Sequence, residues 1–291
     1  MDWTVYWFML PVCVVVAGVA MFSGISGAAL LTPVFLIGFP LIGVPTLTTV
    51  AAIGTSLLLE TSGFGTGVYR YLKMRLVDTV TARLIVPIAL PLGALGAVVS
   101  RHAPSQGLRL GYGVAMFGLA WVLFRERSRD PGAPVPGDAK GQERTIESAD
   151  GRVFRYRASG LGLQRVLSGG GAFVAGLIST GVGEATLPPL VQRSGLPVPV
   201  AAATSTVIVA STVAGAAVTH AVQLVSEGGI GAVPWNLIAW AVPGALVGAQ
   251  IGTRLQGRIP ERAARLFFAG LFAVIGATFL LAFTVFVHQF A

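Results

Sequence analysis

Apolar residues run along this chain in stretches that approach or exceed the length of a membrane crossing. They occupy residues 4–22, 47–69, 84–100, 110–124, 200–225, 235–252 and 266–287, and a bilayer core roughly 30 Å thick needs about 20 helical residues per crossing. The runs predict helices, some slightly short of a full span. Residues 125–165 break the pattern with nine basic and six acidic residues and the turn-rich stretch Pro131-Gly132-Ala133-Pro134-Val135-Pro136-Gly137-Asp138. They predict a hydrophilic linker between a first membrane unit, 1–124, and a second, 166–291.

The small and polar residues that punctuate the runs come twice in the same order. Gly27-Ala28-Ala29-Leu30-Leu31-Thr32-Pro33 corresponds to Gly183-Glu184-Ala185-Thr186-Leu187-Pro188-Pro189. Thr55-Ser56 corresponds to Thr204-Ser205, Ser62 to Ser211 and Tyr71 to His220, all at an offset of 149. Pro91-Leu92-Gly93-Ala94-Leu95-Gly96 then corresponds to Pro243-Gly244-Ala245-Leu246-Val247-Gly248. A duplicated membrane unit with interrupted helices in both halves is the pattern of a secondary transporter.

Composition agrees: 54% of the 291 residues are hydrophobic and 11% charged, with a mean hydropathy of +0.77. A soluble domain of this length could not bury so much apolar surface, so the chain is read as an integral membrane protein. The net charge of +8 does not indicate nucleic acid, because the basic residues lie between apolar runs and act as topology signals. Met1-Asp2 offers no positive n-region, so the first run is read as structure and not as a signal peptide. Cys13 is the single cysteine, which excludes a disulfide framework and a cysteine-cluster metal site and suits packing. Neither a cofactor nor a metal is expected.

The placement of the 20 Lys and Arg residues chooses between two topologies. Four plain crossings per half would put 13 on the cytoplasmic side and 7 outside. If the glycine-rich segments 4–38 and 166–191 are instead hairpins entering and leaving on one side, the split becomes 18 against 2. The positive-inside rule prefers the second arrangement. It predicts an all-α integral membrane protein of two inverted-topology repeats with broken, re-entrant helix hairpins, both termini outside. The 26 residues of 166–191 suit two half-length helices meeting near Ser179-Thr180-Gly181-Val182-Gly183, opposite the other tip, Ser23-Gly24-Ile25-Ser26-Gly27. Irregular backbone at that depth must be surrounded by protein or a water-filled cavity, so both tips should face a central site.

The ordered set of a glycine-rich hairpin with a Pro-hydrophobic step (Gly24 to Val34), Gly54-Thr55-Ser56 opening a long helix, and Pro-Leu-Gly-Ala-Leu-Gly, repeated after a linker, resembles the sulfite exporter TauE/SafE family. The similarity covers about 110 residues in each half. What the resemblance implies is export of small sulfur-containing anions, such as sulfite or organosulfonates like sulfoacetate, coupled to the proton gradient across the inner membrane. The chain departs from a symmetric anion cage in carrying Glu184 where the first repeat has Ala28.

An anion of this kind needs donors, and half-helix N-termini supply them through free N–H groups and the positive dipole end. Gly24, Ser26, Gly27, Thr180, Gly181 and Gly183 are the leading substrate-binding candidates; the alternative is that such small residues permit close helix packing. Thr48, Thr55 and Ser62 recur at intervals of seven and so share nearly one helical face, which Thr204 and Ser211 echo. Thr55, Ser56, Thr204 and Ser205 join the substrate-binding set, although hydroxyls also bond their own helix carbonyls. Glu60 and Glu184 lie within apolar stretches, where an ionisable group is costly and functional by default. With His220 they are the proton-coupling candidates; structural acids and an interface histidine are the alternatives. Gln192, Arg193 and Gln250 are further polar contacts, Arg193 also marking the inner boundary.

Two other functions fit parts of the pattern. Gly24-Ile25-Ser26-Gly27 matches the Gly-x-Ser-Gly of rhomboid-type intramembrane proteases, with His220 as the only histidine deep enough to act as base. A passive anion channel or permease is the stronger rival, and it would tolerate Glu60→Gln and Glu184→Gln.

Overall fold

The first glycine-rich interruption splits the opening apolar run into α1 (Met9–Ser23) and a second helical stretch made of α2 (Ala28–Pro33), a wide π-helical turn (Val34–Gly38) and α3 (Phe39–Leu41). The wide turn follows Pro33, whose ring cannot join the regular hydrogen-bond ladder. The computed structural model describes residues 2–23, 25–125, 141–255 and 261–290. Gly24 and the Pro131–Asp138 stretch lie outside the described residues.

Capping residues start the next two helices. The Thr48 hydroxyl accepts the Ala51 N–H at 3.2 Å and opens α4 (Thr49–Lys73), and Asp78 accepts from Val80 and Thr81, both at 3.1 Å, to open α5 (Thr79–His102). Each satisfies donors that a helix start leaves free. After α6 (Ser105–Arg125) come β1 (Gln142–Glu147) and β2 (Val153–Ala158), then α7 (Leu161–Ile178), α8 (Val182–Gln192), α9 (Val198–Gly228), α10 (Trp235–Leu255) and α11 (Glu261–Phe290). Helices α5, α6, α7 and α9 are each long and apolar enough to cross a membrane. The protein is a mostly helical, multi-pass membrane protein.

Helices α4 and α9 pack against each other at the centre, and the other helices surround them in matching ways. Helix α1 packs on α10 and α7 on α5; α4 also touches α10 and α9 touches α5; α6 lies against α11. Exchanging the two halves of the chain maps each of these pairs onto another of them or onto itself. Each hairpin therefore leans on a helix of the opposite half. The matching segments 91–96 and 243–248 explain the closeness: a Cβ on Gly96 of α5 would lie 2.1 Å from the Phe173 carbonyl oxygen of α7, and one on Gly248 of α10 would lie 2.3 Å from that of Val14 in α1. Backbones meet without side chains between them, as small residues permit in membranes.

Two boundaries differ from the sequence expectation. Helix α7 starts at Leu161 after Gly160, which adopts φ 65°, so it runs for 18 residues, longer than the half-crossing expected of it. The hydrophilic linker is also not purely a connector. Its second part forms the antiparallel β1–β2 hairpin, paired from Gln142↔Ala158 to Glu147↔Val153, an element that the short alternation of Thr145-Ile146 and Phe154-Arg155-Tyr156 did not announce among so many charges.

The hairpin is fastened at three places. Ala149 donates its N–H to the Met74 carbonyl after α4 at 3.0 Å, and Ser159 donates to the Ser194 carbonyl before α9 at 3.2 Å. Arg144 meets Asp78 at 2.6 Å, and the Tyr156 hydroxyl donates to the same carboxylate at 3.0 Å. Burial of Asp78 opposes its ionisation, but hydrogen bonds from Thr81 and Arg144 and the guanidinium charge outweigh it and hold the carboxyl below its ordinary 3.8. A depressed acid contributes stability above its unfolded value and loses it as pH falls through the folded one. Arg144→Ala is therefore expected to destabilise the detergent-purified protein by about 1–3 kcal/mol at neutral pH. In thermal unfolding, the gap from wild type should close as pH drops below 3.8.

Candidate functional site

Tip one is the short segment between α1 and α2. Ser26 lies within it, and its hydroxyl accepts the Ala29 N–H at 3.4 Å, capping the new helix. The N–H groups of Ser26 and Gly27 point away from that helix. They are met by two carboxylates, one from each half of the chain: Gly27 donates to Glu60 Oε1 of α4 at 2.8 Å and Ser26 to Glu184 Oε1 of α8 at 3.4 Å. The other oxygen of each carboxyl is buried without a partner. Such a half-satisfied buried acid is costly.

Tip two is Ser179-Thr180-Gly181. Ser179 ends α7 at φ 60° and Gly181 precedes α8 at φ 115°, a pair of left-handed residues that turns the chain sharply enough for two helices to pack side by side. Only Gly181 adopts such an angle without a Cβ penalty. Gly183 sits in the first turn of α8, buried. The tips touch: the Ser26 hydroxyl donates to the Ser179 carbonyl at 3.5 Å, and the Ser179 and Thr32 hydroxyls lie 2.7 Å apart. Thr32 in turn donates to Ser56 at 2.8 Å. Thr180, 1% exposed, has a buried hydroxyl with no partner. A cavity of about 20 Å³, room for one water, lies beside Glu60 and Gly27 among Cys13, Ala17, Gly63 and Ala245.

The structure thus gathers Ser26, Gly27, Ser56, Glu60, Thr180, Gly181, Gly183 and Glu184 around the meeting tips. The hydrogen bonds of the remaining candidates lead elsewhere. Thr204 accepts the Asp78 N–H at 2.9 Å, below the β-hairpin, and Ser205 donates to its own helix carbonyl at Ala202. Ser62 and Ser211 likewise bond Leu59 and Val207, and Thr55 is buried within α4. Gln192, Arg193 and Gln250 are exposed. Ser26 and His220 make no hydrogen bond with each other.

His220 lies in the α4–α9 crossing. A Cβ on Gly54 would lie 2.7 Å from that of His220, whose ring nitrogen Nε2 meets the Gly176 carbonyl of α7 at 2.9 Å. Across the same crossing Tyr71 packs with Ala203. Each helix thus presents the small residue before its Thr-Ser step to the ring of the other, which is why Tyr71 and His220 occupy equivalent places.

Two residues of the site escaped the sequence reading. Thr32 was visible only as the hydroxyl before Pro33, set against Pro188 in the second repeat. Tyr112 gave no local signal; it donates from α6 to the Ala29 carbonyl in the first turn of α2.

A multi-pass helical fold around a buried polar junction suits a membrane transporter, and comparison with known proteins names the kind. The profile of the Sulfite exporter TauE/SafE family matches residues 9–279; the chain belongs to that family. It is 26% identical over 215 residues to the probable membrane transporter protein YunE of Bacillus subtilis (strain 168), covering 72% of this chain and 73% of the relative. No solved structure matches.

Proposed function

We propose that the chain is a secondary transporter that exports a small sulfur-containing anion, an organosulfonate such as sulfoacetate or sulfite, across the inner membrane by alternating access with proton coupling. The observation that carries this reading is the meeting of the two tips, one from each half, through the 2.7 Å contact of Ser179 with Thr32. Around it lie backbone N–H groups, hydroxyls and one acid from each half, which is the equipment for holding an anion while moving protons. The two halves are read as inverted repeats with re-entrant hairpins. The exchange symmetry of the packing pairs supports this, since each hairpin rests on the other half and one unit can rock against its counterpart around the tips.

Purified protein is expected to be stabilised against heat by sulfite or sulfoacetate, and weakly or not at all by sulfate and thiosulfate. At about 100 times Kd the gain is about 2.7 kcal/mol, and Thr180→Val should remove most of it. A transporter that responds to none of these anions carries another substrate or acts as a passive channel.

A further inference from the structure

The two acids occupy the very donors that an anion at tip one would use. Ser26 and Gly27 offer consecutive N–H groups at the start of the helical run 28–41, and Glu184 and Glu60 take them at 3.4 and 2.8 Å. Glu60 is 4% exposed and keeps its second oxygen unpartnered, as does Glu184, while the unpartnered hydroxyl of Thr180 belongs to the facing tip. These free polar atoms are a binding capacity that the chain itself does not use. Around the acids, α6 contributes Tyr112, within electrostatic reach of both, α1 contributes Cys13 and α10 Ala245. His220 of α9 is turned to the Gly176 carbonyl. No ion pair among the described residues includes either acid, so no cation holds them ionised.

We infer that Glu60 and Glu184 act as internal stand-ins for the transported anion, so that protons and anion bind this site together and not in exchange. The inference rests on the anion-transport reading above. An ionised pair would repel an arriving anion and would keep the tip donors engaged. A protonated carboxyl holds its N–H partner less strongly than a carboxylate does, so an anion can displace it, and it presents an O–H donor of its own. The anion then takes over the Ser26 and Gly27 N–H groups, with the two carboxyl O–H groups and Thr180 as further donors. By linkage, a ligand whose binding requires protons must also take protons up when it binds. Net charge sets the electrical part of the driving force: a dianion carried with one proton is pushed outward by an inside-negative potential, against any inward proton gradient, whereas a dianion carried with two is neutral to the potential and follows its own gradient and that of the protons.

The test is calorimetric titration of the full-length protein with sulfoacetate and with methanesulfonate in two buffers of different protonation enthalpy, across about pH 6 to about pH 8, where both probes stay fully ionised. The expected result is net uptake of about one to two protons per anion, two where both acids start ionised, with Kd weakening by about tenfold per pH unit for each proton taken up. In the Glu60→Gln, Glu184→Gln double variant the pH slope should disappear. Should that variant fail to fold, the proton count on the wild-type protein decides alone. Anion binding with proton release, or with none exchanged, overturns the inference and leaves the anion reading standing. Absence of binding by both probes and by sulfite at every pH overturns the anion reading, and this inference with it.

Discussion

Gly96→Ala and Gly176→Ala are expected to abolish folded protein, although each adds a single methyl group. A Cβ on Gly96 would stand 2.1 Å from the Phe173 carbonyl oxygen, and one on Gly176 would stand 1.9 Å from that of Gly93. Both obstacles are backbone atoms of the neighbouring helix, so no rotamer change relieves them and α5 must separate from α7. Parting two helices along such a seam forfeits the packing that holds membrane helices together, and the loss should exceed about 4 kcal/mol, the range reserved for a few severe mechanisms. Gly118→Ala in α6 is the control, because a Cβ there meets nothing within 4 Å, and alanine is the better helix former. Monodisperse protein recovered after detergent extraction is the readout: near zero for the two seam variants, unchanged for the control. Recovery of all three at wild-type levels would mean that the seam is looser than these distances state.

The same seam shows what a sequence can reveal. Apolar run lengths predicted most of the long helices because crossing a bilayer is a local requirement, met residue by residue, but not α7, whose 18 residues begin in the charged linker and were expected to make only a half-crossing. The matching segments 91–96 and 243–248 were legible as a repeat but not as seams of close approach, nor was the partner, which proved to be a helix of the opposite half. Acids inside apolar runs stand out by their cost, and Glu60 and Glu184 were therefore legible as site residues. That both would reach the same tip was not, since nothing local links Gly27 to Glu60 or Ser26 to Glu184. The hydroxyl stripe left two readings open, and its serines Ser62 and Ser211 bond their own helix carbonyls at Leu59 and Val207, which a periodic pattern cannot distinguish from lining a path. Thr32 and Tyr112 carried ordinary residue types in ordinary surroundings, and only folding gave them a role.

Thr32→Val is expected to slow transport by at least about tenfold while Thr32→Ser retains it. The reason is a count of protons. Ser56 donates its hydroxyl proton to the Ala52 carbonyl at 2.7 Å, so toward Thr32 it can only accept. Thr32 therefore donates to Ser56, and its bond with Ser179 must be one in which Ser179 donates. The relay Ser179 to Thr32 to Ser56 to Ala52 has one direction and no spare proton. Valine fills the same space but accepts nothing, leaving the Ser179 hydroxyl, 1% exposed, without an acceptor. An unsatisfied buried donor costs about 1–3 kcal/mol. Ser179 also adopts φ 60°, a conformation that costs a non-glycine residue about 1–3 kcal/mol when its surroundings do not hold it. Both penalties fall on the state in which the tips are docked, and each 1.4 kcal/mol is about a factor of ten in its population. Uptake into proteoliposomes of labelled sulfoacetate, measured against thermal stability, separates the outcomes. A rate loss with little change in melting temperature places the tip junction in the transport cycle, and equal loss in both places it in the fold alone. Serine restores the relay because it keeps the hydroxyl and drops only the methyl group, so its failure to rescue would assign the valine effect to packing and not to the hydrogen-bond chain.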